Sequence, residues 1–381
     1  MKTLFTRFPL ESTFGGAEVQ VLSLMEGLMQ HGHAVAFLGS CPTLLEECRK
    51  RNIPSAKLEI GPPPVTKWNA ISFLWRKKKM QRLLQTAIEQ FSDLDAVIML
   101  SLSEKLLLTP LLTEQSAFNF QLSTVYWLEH DSVGRWLTKN PWLRKLRELS
   151  MKVTTIVVSE LSKKIYVKLG WPAEKVIAIP NGIDPNRFGA NSKSKIGNPK
   201  PHIGCVSRLT HDKGIDLLIE AVNELPNTQL TIIGTGRDER QTKKLISQSA
   251  NKLIGLVPRV DDLGKFYSSI DLLVLPSREH DPFGLVAAEA MMLGVPVVVT
   301  DACGIADYLE NGIDAVIVKA GSAQAIKEGI ETALGSGSLA ENGKRTAMEK
   351  FSVERMVDEY EMQIRNMKQA QNLKFKRLKQ I

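Results

Sequence analysis

Cysteine is scarce in this chain: Cys41, Cys48, Cys205 and Cys303 are the four in 381 residues, irregularly spaced and without a C-x-x-C pair. That excludes a disulfide framework and a cysteine-based zinc site, and leaves buried free thiols as the expected state. Histidine is thin as well, six in all, and none stands in an H-E-x-x-H motif. No apolar run reaches the ~18–20 residues that span a bilayer. Arg7 and Glu11 break the opening MKTLFTRFPLE before the apolar stretch of a signal peptide could form. A cytoplasmic location is therefore expected.

What is present is an ordinary globular composition, 43% hydrophobic and 24% charged, with no low-complexity tract. The length exceeds the ~250–300 residues at which a single core stops growing, so two domains are expected. Asp93-Leu-Asp95 resembles a metal-chelating pair, but it precedes the apolar strand 96–100. Ligands of open parallel sheets gather beyond the opposite, C-terminal strand ends, so no metal site is expected there.

Lys and Arg number 49 against 41 Asp and Glu, a net charge of +8. The excess is concentrated. Residues 62–90, 135–152 and 361–381 each carry six basic residues and one acid, +5 apiece, so the three sum to +15 and the remainder of the chain is −7. In the first segment the basic residues alternate with Trp68, Ile71, Phe73, Leu74 and Trp75, and in the second with Trp136, Trp142, Leu143 and Leu146. Such mixing suits a helix lying in a membrane interface, where rings enter the headgroup layer and Lys and Arg meet anionic lipid. The alternative is a solvated basic helix whose aromatics face the core.

Along the chain, strand and helix patterns alternate. A βαβ opening runs from LFTRF through Gly15-Gly16 and an amphipathic helix to AVAFLG, with further strands at 96–100, 124–130, 154–159 and 176–180. Residues 186–201, rich in Gly, Asn, Ser, Lys and Pro, read as a linker. A second alternation follows, with nearly continuous apolar strands of the kind found in parallel sheets covered on both faces. The expected domains are 1–187, 188–352 and a C-terminal segment 353–381.

Three loops at strand ends carry candidate chemistry. Arg208 and Lys213, in SRLTHDKG, place two cations beside a helix N-terminus, which suits a diphosphate. Gly234, in IGTG, lets backbone approach a phosphate, though this is a weak dinucleotide fingerprint without its third glycine. The block 276–291, PSREHDPFGLVAAEAM, runs from strand through an acidic loop into a helix. There Asp281 could accept sugar hydroxyls, backbone N–H groups at 284–286 could face the ligand, and Glu289 could accept a ribose hydroxyl pair.

Together these segments resemble a retaining glycosyltransferase of the GT-B fold, family four (glycosyl transferases group 1). The likeness extends from Gly15-Gly16-Ala17-Glu18 through His130-Asp131, Asn181-Gly182-Ile183-Asp184 with Arg187-Phe188, Arg208 and Lys213, to the 276–291 block. It implies an α/β architecture of two Rossmann-like, doubly wound domains facing across a cleft, acceptor on the first and nucleotide sugar on the second, with the C-terminal helix from about Val353 crossing back to the first. It implies that Arg208 and Lys213 hold the donor diphosphate, Glu289 the ribose, and Leu256 and Val257 the base through backbone contacts. Phe283, Gly284 and Leu285 would border the donor, His130 would stand near the reacting centre, and Gly15 and Gly16 would border the cleft. No metal or other cofactor is implied, and the donor is expected to be a UDP-sugar rather than a GDP-sugar. One departure is that the family's E-x7-E begins with Asp281 here, so Glu279 is an alternative contact for the donor sugar. Asp301-Ala-Cys-Gly-Ile-Ala-Asp-Tyr is similar to segments of lipopolysaccharide-core transferases.

The expectation is a peripheral enzyme at the inner face of the cell membrane, moving sugar to a lipid-linked or lipopolysaccharide-type acceptor with retention of configuration. The competing readings are a soluble transferase with a small acceptor, a sugar-nucleotide epimerase, and a basic nucleic-acid-binding protein, although no nucleic-acid module is visible.

Overall fold

The computed structural model describes residues 1–8, 15–91, 93–113, 124–131, 133, 135–188 and 200–378, the side chains of 135, 136 and 371–378 excepted. The chain forms two compact units. One comprises residues 1–158, 162–182 and 353–381, the other residues 159–161 and 183–352.

The first unit is built on β1(Lys2–Arg7), β2(Ala34–Gly39), β3(Ser55–Lys57), β4(Ala96–Met99), β5(Thr124–Glu129), β6(Thr154–Val157) and β7(Val176–Ala178). They form one parallel sheet in the order β3-β2-β1-β4-β5-β6-β7. Because side chains alternate along a strand, the apolar runs feed two cores at once. Leu4, Val97, Met99 and Trp127 join one cluster, and their neighbours Phe5, Ala96, Ile98 and Tyr126 join the other. That double burial is why these strands read as continuous apolar runs. The helix Val353–Leu378 belongs to this unit and sends Met356, Val357, Tyr360 and Ile364 into the second cluster. It lies so close to the helix Gly16–Gln30 that a Cβ on Gly27 would meet Val357 Cγ2 at 2.3 Å.

The second unit repeats the plan with β8(His202–Val206), β9(Gln229–Ile233), β10(Ile254–Val257), β11(Leu272–Leu275), β12(Val297–Thr300) and β13(Val316–Val318). Its order is β10-β9-β8-β11-β12-β13, again all parallel. Each sheet thus has one switch point, between β1 and β4 and between β8 and β11, where ligands of open α/β sheets bind. The units part between Gly182 and Ile183, ahead of the domain boundary expected at 187. The segment after Ile183 is tied to the second unit, where Ile183 bridges Ser352 and Phe188 stacks edge-on against Tyr267. All four cysteines are buried and free, and burial pushes the thiols of Cys48, Cys205 and Cys303 up to about 12. Asp95 accepts from the Lys2 amide and from Lys368 Nζ, so both of its carboxylate oxygens are engaged in the fold.

Candidate functional site

In the second unit, the loops that follow β8 and β11 are stitched together at the switch point. The amide of Arg278 donates to Asp212 O, and its guanidinium donates to His211 O and pairs with Asp216 at 2.8 Å. Gly214 sits in the left-handed region at φ 65°, where a Cβ would meet Pro276 O at 2.1 Å. Gly234, at the end of β9, leaves the backbone room to pass Ser207 O, which a Cβ would approach to 1.8 Å. Glycine is required at both positions by sterics alone.

This stitching brings two of the expected residues into direct contact. Lys213 Nζ lies 2.7 Å from Asp281 Oδ2, and both side chains are nearly buried. Ser277 Oγ also donates to Asp281 Oδ2, and behind the loop Asp281 bridges Cys303 while Gly304 N donates to Asp281 O. Burial works against the charge on Asp281, but the Lys213 ammonium and the Ser277 hydroxyl outweigh it and hold the carboxyl below its ordinary value. Arg208, by contrast, is exposed, and its guanidinium pairs with no carboxylate among the described residues. Glu279, the alternative sugar contact, is also exposed.

Glu289 lies in the helix Leu285–Met292, whose N-cap Gly284 has φ 92° and supplies no capping side chain. Its carboxylate is buried between Tyr267, whose hydroxyl donates to Oε2 at 2.7 Å, and Arg187, whose Nη1 is 3.5 Å from Oε1. Burial pushes its pKa up, against the pull of Arg187 and Tyr267. Sequence reasoning gave neither partner a role, although Arg187 lay within a recognised motif. Phe283 turns inward: its ring packs edge-on against Phe351 at 5.4 Å, so it anchors the loop from the core side rather than lining it. Leu285 is half-buried in the first turn of the helix. Leu256 and Val257 close β10, an edge strand, and Val257 O accepts from Gly234 N.

In the first unit, Gly15 caps the helix Gly16–Gln30, its amide donating to Glu18 Oε2 at 3.0 Å while Glu18 also pairs with Arg7 at 2.6 Å. His130 follows β5, and burial with the nearby Arg7 and Lys105 cations pushes its imidazole down to about 3. It is neutral at physiological pH. Lys105 and Glu129, which the sequence reading passed over, form a buried ion pair at 2.8 Å and line a cavity with Arg7 and Asp131. The signal for them was charge set against apolar runs, Glu104-Lys105 within LSEKLLLTPLL and Glu129 at the end of TVYWLE.

The basic clusters differ from one another. On the helix Lys67–Glu89, Phe73, Met80, Leu84 and Ile88 face the core, while Trp68 is 78% exposed and Trp75 87%, with Ile71 and Leu74 beside them. In the second cluster Trp142 turns in, edge-on to Phe73 at 5.5 Å, its indole N–H donating to Pro64 O, and Leu146 is buried. The Trp136 side chain lies outside the described residues. Among the described residues, no helix is long and apolar enough to cross a membrane.

The family model for Glycosyltransferase Family 4 matches residues 14–187, and that for Glycosyl transferases group 1 matches residues 188–350. An uncharacterized glycosyltransferase of Methanocaldococcus jannaschii is 32% identical over 55% of this chain and 58% of its own length. The lipopolysaccharide core biosynthesis glycosyltransferase LpsE of Rhizobium meliloti is 31% identical over 50% of this chain and 58% of its own length. The matched stretch therefore spans less than two thirds of either relative. Among solved structures, that of Anabaena Alr3699/HepE in complex with UDP and glucose is similar at a TM-score of 0.77 and 18% identity, covering 96% of this chain and 99% of that one. With two family models running from residue 14 to residue 350 over two sheets of this order, the chain belongs to the GT-B glycosyl transferases group 1.

Proposed function

We propose that this protein transfers a sugar from a nucleoside diphosphate, UDP in the first instance, to a lipid-linked or lipopolysaccharide-type glycan at the cytoplasmic face of a membrane, with retention of configuration. The observation that carries this reading is the cluster of Arg208, the Lys213–Asp281 pair and Glu289 around the β8/β11 switch point. UDP and glucose are bound by Anabaena HepE, and LpsE is named for lipopolysaccharide core biosynthesis, which supports the donor and acceptor classes.

Each residue keeps capacity for this task. An ammonium has three N–H donors, so Lys213 retains two after bonding Asp281, and each carboxylate oxygen has a second lone pair. Asp281 Oδ2 takes Lys213 and Ser277, which leaves Oδ1 for a sugar hydroxyl. Glu289 holds Tyr267 on one oxygen and faces Arg187 with the other, so the buried carboxylate is oriented for a ribose hydroxyl pair. Cleaving the anomeric C–O bond leaves negative charge on the diphosphate. Because Asp281 neutralises Lys213, net positive charge for the diphosphate comes from Arg208, which pairs with no carboxylate among the described residues, aided by helix N-termini whose glycine caps supply no competing side chain. His130, being neutral, serves as a hydrogen-bond partner near the acceptor and brings no fixed charge.

The exposed Trp68 and Trp75 beside Lys67, Lys78 and Lys79 support attachment to an anionic lipid surface. For the transfer itself, Arg208→Ala is expected to lower kcat/KM for a UDP-sugar by about 10²–10³-fold with Tm unchanged, a loss typical of removing one charge-stabilising donor. Lys213→Ala alone strands Asp281 without its cation, so the pair is tested as Lys213→Met with Asp281→Asn, which removes both charges together. Unaltered turnover in Arg208→Ala and in the double variant would sink the donor assignment.

A further inference from the structure

The first unit holds a cavity of about 280 Å³ beside the β1/β4 switch point. That lies at the lower end of the ~300–1,000 Å³ usual for ligand pockets, room for one sugar ring and not for a chain. Its polar side is made by Arg7, Lys105, Glu129 and Asp131, and its apolar side includes Val65, Leu137 and Trp171. Two cations and two carboxylates sum to zero, and neither cation is uncommitted. Arg7 is paired with Glu18 at 2.6 Å and Lys105 with Glu129 at 2.8 Å, the latter pair almost wholly buried.

With a lining of zero net charge, a phosphate or a sugar carboxylate would gain an uncompensated cation only by taking one from these pairs, which leaves a carboxylate buried without its partner and is unfavourable. A hydroxyl group needs no such exchange, because it donates to a free carboxylate lone pair while accepting from an ammonium N–H. Trp171 adds an unmet donor: its indole N–H is buried and has no acceptor among the described residues. Its ring, packed edge-on with Tyr166 and Trp127, belongs to the apolar lining of the cavity.

We propose that this cavity is the subsite for the acceptor sugar and takes an uncharged pyranose, with Lys105 and Glu129 selecting it against phosphorylated and acidic sugars. The proposal rests on the glycosyl-transfer reading above. It is tested on the purified full-length chain by ligand-observed NMR titration. The probes are methyl glycosides of glucose, galactose, mannose and N-acetylglucosamine, each beside its 6-phosphate, with UDP titrated in parallel.

At least one neutral glycoside is expected to bind, its 6-phosphate at least tenfold more weakly. Glu129→Gln is expected to weaken the neutral glycoside tenfold or more. Val65→Phe should do the same by filling the rim, and because Val65 is 45% exposed that variant keeps the test valid if Glu129→Gln fails to fold. Equal or tighter binding of the phosphates, no binding by any neutral glycoside, or unchanged affinity in the folded variants would each overturn the subsite. UDP binding separates the two levels. If wild type binds UDP while glycoside selectivity is absent, only the subsite falls; if it does not bind UDP, the transfer reading beneath it falls.

Discussion

At the scale of single residues, Glu289 shows how burial and function pull against each other. Its carboxylate is enclosed, and burial raises its pKa above the ordinary 4.5 despite Arg187 and Tyr267. A group raised in the folded state contributes its full stability below its unfolded pKa and loses it as pH rises through the folded value. Glu289→Gln removes that dependence while its amide oxygen can still accept from Tyr267. We expect the Tm difference, variant minus wild type, to grow more favourable to the variant between pH ~5 and ~8. UDP affinity should nonetheless fall about 10–100-fold at pH ~7, the loss of a hydrogen bond to a charged acceptor. Melting curves across pH and a UDP titration check the two halves separately. A variant that binds UDP as wild type does would remove Glu289 from the ribose contact.

At the scale of elements, the helix Lys67–Glu89 presents two faces, and only one is accounted for by the fold. Trp68 and Trp75 contribute almost nothing to the core, so Trp68→Ser with Trp75→Ser should leave Tm unchanged yet reduce co-flotation with anionic vesicles at least tenfold. Replacing Lys78 and Lys79 by Gln should weaken binding at low salt and flatten its salt dependence, at about 1 kcal/mol per basic residue. Wild-type protein that fails to float with anionic vesicles would end the membrane reading. The pattern of elements was legible in the sequence wherever apolar runs were long, since β1, β4, β5, β11 and β12 are buried on both faces and spell this out. β3 was missed because it is three residues at a sheet edge, Ser55–Lys57, with no apolar run to mark it. The orientation of the tryptophans was not legible either. Trp75 and Trp142 have similar basic neighbours, and it is packing against Phe73 with an indole hydrogen bond to Pro64 O that distinguishes Trp142. At the candidate site the loop motifs carried Arg208, Lys213, Asp281 and Glu289, whereas the Lys213–Asp281 bond and the Tyr267 partner join residues far apart in sequence and needed the fold.

At the scale of the whole molecule, the chain order and the compact units do not coincide, because the last helix begins directly after Ser352 of the second unit and belongs to the first. It fills the core with Met356, Val357, Tyr360 and Ile364, and it is pinned by Glu361 against His31 and His33, by Lys368 on Asp95, and by the Tyr126 hydroxyl donating to Gln363 O. At about 1.5–3 kcal/mol per buried apolar side chain, those four residues contribute roughly 6–12 kcal/mol, comparable with the ~5–15 kcal/mol by which a whole domain is stable. Ending the chain at Ser352 should therefore unfold the first unit and leave the second, whose own sheet and core lie within residues 183–352. The expected result is a fragment of about the second unit surviving limited proteolysis and still protected by UDP through Arg208. Cleavage should run through residues 1–182, with no transfer to any acceptor. A truncated chain that melts in one transition at the wild-type temperature would show that the helix is dispensable and that the packing around Val357 carries little of the stability assigned to it.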